Sequence, residues 1–88
     1  MEIKLGSVVI SSAGHDQGRF MLVVGADGGF VLVADGKERK LASPKKKNIK
    51  HVRKTLNTIE LEGLTDKKLR QMLRNYSQSV RQQHFTGE

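Results

Sequence analysis

The sequence contains no cysteine and no tryptophan, one proline, Pro44, and four aromatic side chains, Phe20, Phe30, Tyr76 and Phe85. Without cysteine there is no disulfide and no zinc-thiolate site, which fits a reducing, intracellular setting. No apolar run nears the roughly 20 residues that a spanning helix needs. The opening MEIKLGSVV has no apolar core behind a basic region. The expectation is a soluble, cytoplasmic protein that has neither a leader nor a membrane contact. Scarce aromatics also count against base-by-base reading of single strands, which stacks bases on exposed rings. Phe20 and Phe30 fall in apolar runs and Tyr76 on an apolar helical face, positions that suit a core, while Phe85 is uncommitted.

Catalytic signatures are equally sparse. The loop AGHDQGR lacks the Gly-Lys-Ser/Thr ending of a phosphate-binding loop, and no G-x-G-x-x-G precedes a helix. His15, His51 and His84 stand far apart without metal-ligand spacing. Ser11 and Ser12 have no visible base-and-orienter arrangement, and Glu60 with Glu62 sits on a connector. The chain is expected to be no enzyme, with no catalytic residue, no cofactor and no metal.

What is present is charge of one sign, concentrated. The formal net charge is +7 over 88 residues, a length that suits one domain. From Lys37 to Lys54 nine basic side chains face the single acid Glu38, so that stretch carries +8 and the remainder −1. Such segregation favours a polyanion partner over a solvated face.

The chain is organised around Gly6 to Val24, GSVVISSAGHDQGRFMLVV. Val8 to Ile10 and Phe20 to Val24 are apolar runs too short for helices, hence strands. Between them Gly14 and Gly18 let a short loop fold back and present backbone N–H groups, crowding His15, Asp16, Gln17 and Arg19 on one small surface. There His15 and Arg19 are candidate contacts to a phosphate or a base edge. Asp16 is expected to cap its own loop through backbone N–H groups, and Gly14 and Gly18 to be conformational.

Gly6, Val8, Val9, Gly14, Asp16, Gly18, Arg19 and Val23 resemble the KOW motif, a strand-loop-strand signature of ribosomal proteins and NusG-type transcription factors. The run VLVADGKERKLASPKKKNIKHV also resembles the KOW domain of the eukaryotic and archaeal large-subunit ribosomal protein fourteen family and its small bacterial relatives. The resemblance covers Gly6 to about Thr55. It implies an SH3-like β-barrel that binds ribosomal RNA, with the glycine loop among the contacts, where periodicity alone gives only short strands and a basic surface.

In order, Met1 to Leu5 reads as an edge strand or lead-in, and strand one covers about Ser7 to Ser12. Strand two covers Arg19 to Ala26 and strand three Phe30 to Ala34, joined by a hairpin at Asp27-Gly28-Gly29. A second hairpin at Asp35-Gly36 leads to strand four over Arg39 to Ala42. Pro44 sits at a strand end, Lys45 to Asn48 form an exposed loop or helical turn, and strand five covers about Ile49 to Lys54. Strands two and three are apolar on both faces, so one face needs a cover. The cover is a helix over 65–82: Thr65 is a good N-cap, Asp66 complements the dipole, and Leu69, Met72, Leu73, Tyr76 and Val80 share a face.

The expected fold is therefore mostly β: a five-stranded SH3-like (KOW) barrel over 1–55, a connector over 56–64, an amphipathic C-terminal α-helix packed on the barrel, and a frayed tail over 83–88. The expected function is binding of RNA, by resemblance ribosomal RNA, with ribosomal proteins as further candidate partners, by a chain that is a monomer when free. Lys45, Lys46, Lys47, Lys50, His51, Arg53 and Lys54 would carry the contact, extended by Arg39, Lys40, Arg19 and His15. The alternatives are a protein-interaction module on an SH3-like barrel and a transcription-associated nucleic-acid binder. Peptide-binding barrels need an exposed aromatic groove, for which this chain has few aromatics to spare.

Overall fold

The computed structural model describes residues 3–86, with side chains described through Tyr76. Five strands, β1 (Ser7–Ser11), β2 (Phe20–Asp27), β3 (Phe30–Ala34), β4 (Lys45–Asn48) and β5 (Val52–Thr58), precede one helix, α1 (Asp66–Thr86). They form a single antiparallel sheet in the order β4-β3-β2-β1-β5. The β2–β3 hairpin closes where expected, with Asp27 opposite Phe30 across Gly28 and Gly29.

Alternation on the strands splits the apolar residues into two cores. Val8, Leu22 and Ala34 lie side by side across β1, β2 and β3 and meet Ile59, Leu69 and Leu73. On the other face Val9, Met21, Val23, Val31 and Val33 cluster with Val52 from β5. Residues from β3 and β5 share this second core although β2 and β1 separate them in the sheet order, so the sheet curls on itself as a small barrel does. The two-faced apolarity of β2 and β3 thus has the expected explanation: one face lines the inside and the helix covers the other.

The helix starts at the expected cap, with Thr65 Oγ1 accepting from Lys68 N at 3.2 Å. Leu69 and Leu73 are buried and Met72 and Tyr76 partly buried against the sheet. Asp66 has a further task beyond the helix dipole, because its carboxylate accepts Leu41 N at 2.8 Å. The helix runs to Thr86, beyond residue 82; the side chain of Val80 and the last two residues of the expected tail lie outside the described residues.

Several expectations for the chain after β3 are corrected. Arg39 to Ala42 is not a strand: Asp35 Oδ1 accepts Lys37 N and Arg39 N, both at 2.9 Å, and these local bonds compete with ladder pairing. Instead the segment crosses to the helix, fastened at Leu41. Lys45 to Asn48 is not a loop but β4, paired with β3 from Val33↔Lys45 to Phe30↔Asn48. A 3₁₀ turn at Ile49–His51, capped by Asn48, then precedes β5, which runs on to Thr58 and leaves a connector shorter than expected. No described helix is long and apolar enough to cross a membrane.

Candidate nucleic-acid interface

The glycine loop closes on itself and on the end of β1, the strand before it. Gly14 and Gly18 both sit at φ 87°, a region in which a Cβ is strained. Gln17 N donates to Gly14 O, Gly18 N to Ser11 O and Arg19 N to Asp16 O, so these three N–H groups are satisfied internally and do not face a ligand. Ser12 N donates to His51 O at 2.8 Å, which brings the loop beside the 3₁₀ turn.

Asp16 does not cap the loop through backbone N–H groups. Its buried Oδ1 accepts Ser11 Oγ and Lys47 Nζ, each at 2.8 Å, and Lys45 Nζ stands 3.4 Å from Oδ2. Burial by itself raises the carboxyl, but the hydrogen bonds from Lys47 and Ser11 and the charges of Lys47 and Lys45 outweigh it and hold the group well below the usual carboxylate range. Lys47 also donates to Ala13 O at 2.9 Å.

The lysine run therefore divides by strand alternation. Lys45 and Lys47 share one face of β4 and turn to Asp16, and Lys47 is only 7% exposed. Lys47 is a structural lysine, contrary to its expected place in an exposed loop. Lys46 takes the opposite face, with Nζ 3.4 Å from Asp27 Oδ2 and 4.7 Å from the centre of the Phe30 ring. Arg19 pairs with Glu38.

The remaining basic candidates have different surroundings. Lys50 and His51 are exposed on the 3₁₀ turn, and Arg53 and Lys54 are exposed on β5, opposite Ile10 and Val9 of β1. Adjacent on a strand, Arg53 and Lys54 point to opposite faces. Arg39 and Lys40 are exposed on the segment between β3 and β4. Among the described residues none of Lys50, Arg53, Lys54, Arg39 or Lys40 forms an ion pair. His15 is exposed and, with Arg19, Arg39 and Lys45, lines a cleft of ≈ 250 Å³ that also contains Asp16, Asp35 and Glu38.

Sequence reasoning missed Ser11 as the partner that orients Asp16. It counted Lys37 in the basic stretch without naming it as a contact and passed over Arg70 and Arg74, and the structure places all three around a second groove; the i, i+4 spacing of the two arginines was the available signal. Among the described residues no group of three or more His, Asp or Glu side chains is placed to hold a metal. No family model matches the chain, and no curated protein sequence matches it.

Proposed function

We propose that this protein binds structured RNA, as a ribosomal or ribosome-associated protein of the KOW class on an SH3-like barrel. Its docking region is the 3₁₀ turn with the start of β5, where Lys50, His51, Arg53 and Lys54, the last two on opposite faces of the strand, meet more than one stretch of RNA backbone, extended by Arg39 and Lys40. The reading draws on the motif resemblance between Gly6 and Thr55. The observation that carries it is the division of labour among the cations. Asp16, Asp27 and Glu38 engage Lys45, Lys46, Lys47 and Arg19, whereas the cations of the turn and β5 have no acidic partner among the described residues. Phosphate oxygens are their complement. The exposed Phe30 ring lies under Lys46 rather than in a row of rings, which favours recognition by charge and shape over base stacking.

The test measures binding of a structured ribosomal RNA fragment and of duplex DNA at several salt concentrations. Lys50→Ala/Arg53→Ala/Lys54→Ala should weaken RNA binding and flatten the plot of log affinity against log salt by about 2–3, at about 0.7–0.9 for each phosphate no longer neutralised. An unaltered dissociation constant would discard this surface. Stronger binding to the duplex DNA would move the protein to the transcription-associated class, and crosslinking in cell extract followed by sequencing would name the nucleic acid.

A further inference from the structure

The seam between α1 and the sheet holds an open groove of ≈ 480 Å³ whose character differs from that of the docking surface. Its apolar floor is Phe20 and Leu73, and its rim carries Arg19, Lys37, Arg70 and Arg74. Asp35 also lines it, with Oδ1 already accepting two backbone N–H groups.

The rim is held by backbone contacts rather than by flexible side chains alone. Gly36 lies so close to the first turn of α1 that a Cβ there would overlap Asp66 O and crowd Arg70 Cγ. Arg70 Nη1 donates to Gly36 O at 2.7 Å, and Asp66 accepts Leu41 N, so loop and helix are fastened on both sides of Lys37. Arg74 stands one turn along the helix from Arg70, and among the described residues neither Lys37 nor Arg74 has an ion-pair partner. Arg19 and Asp35 line both this groove and the neighbouring cleft of His15, Arg39 and Lys45, so the two lie side by side.

The half-buried Phe20 ring and Leu73, with Lys37 and Arg74, unpaired among the described residues, beside them, match a planar base bearing a phosphate. We propose that the groove is a nucleotide pocket: it takes one unstacked nucleotide of a bound RNA, the base against Phe20 and Leu73 and the phosphate between Lys37 and Arg74. The inference rests on the RNA reading and adds to it a preference for RNA with an extruded base, and it gives α1 a share in binding besides its cover of the sheet. Paired RNA leaves the groove empty, because a stacked base cannot reach the floor.

The test uses a short RNA hairpin with one bulged uridine and the same hairpin fully paired, at low salt. The parent should bind the bulged hairpin at least about fivefold more tightly, the lower end of what base stacking on a protein ring supplies. Lys37→Ala/Arg74→Ala, two exposed positions, should abolish that preference while still binding the paired hairpin. Lys50→Ala/Arg53→Ala/Lys54→Ala should weaken both hairpins and keep the preference. A parent that does not distinguish the hairpins, or a preference that survives the groove variant, overturns the pocket and leaves the RNA reading standing if the triple variant still weakens binding. A parent that binds neither hairpin overturns both. With 4-thiouridine at the bulge, photocrosslinks on the parent should map to Arg19, Phe20 or Leu73, and crosslinks confined to other segments would also refute the pocket.

Discussion

Removing Lys47 tests the internal architecture most sharply, because it separates a structural lysine from its surface neighbours. In Lys47→Ala the Asp16 carboxylate loses its 2.8 Å ammonium partner and keeps only Ser11 Oγ and the longer contact to Lys45. Breaking a buried pair by removing one partner costs about 3–5 kcal/mol. The retained Ser11 bond and the 3.4 Å lysine place this site near the lower end, about 3 kcal/mol, or roughly 12–24 °C in Tm for a domain of this size. Lys46→Ala removes an exposed pair and should change stability by about 1 kcal/mol or less. Chemical denaturation of both variants measures the contrast. The cycle with Asp16→Ala should show coupling, with the double variant clearly less destabilised than the two single losses combined. A Lys47→Ala transition matching that of Lys46→Ala would refute the buried clamp. The same pair sets a pH dependence. The Asp16 carboxyl is lower in the folded chain than in the unfolded one, so its contribution is complete at neutral pH and is lost as pH falls below the unfolded value of about 3.9. An acid limb that stays unchanged in Asp16→Ala would assign acid unfolding to other groups.

Leu73→Ala should destabilise by about 2–5 kcal/mol, read by urea titration, because Leu73 is 6% exposed in the helix–sheet core. Gly36→Ala, at φ 78° against Asp66 O, should cost about 1–3 kcal/mol in backbone strain alone and weaken the fastening of the loop to α1, seen as faster amide exchange at Leu41. Leu56 is fully exposed, so Leu56→Ser should leave thermal stability within about 0.5 kcal/mol of the parent.

The parts of the fold that were legible in the sequence were those written in local pattern. Alternation and turn residues located β1, β2, β3 and the hairpin at Gly28-Gly29, and helical spacing with a threonine cap located the start of α1. Surplus apolarity on β2 and β3 required two cores, and two are present. What was not legible depends on contacts distant in the chain. Asp35-Gly36 carries the residues of a hairpin turn, but Asp66, 25 residues beyond Leu41, draws the following segment to the helix instead.

Charge was the least legible property, because a basic stretch in sequence has amount but no direction. Lys45, Lys46 and Lys47 read as one cationic unit, yet pairing with β3 imposes a two-residue period that sends the first and third toward Asp16. Asp16 stands in the glycine loop, where its local turn propensity gives no sign that it serves a strand 31 residues away. The consequence runs opposite to composition: Lys45 and Lys47 of the densest positive run close the loop through Asp16, while Lys50, Arg53, Lys54 and Arg74 have no ion-pair partner among the described residues. On the RNA-binding reading proposed above, neutralising Lys47 should weaken binding by loosening the scaffold, and neutralising Lys50, Arg53 and Lys54 should weaken it with the scaffold intact. Measuring affinity and stability on the same variants distinguishes these two routes.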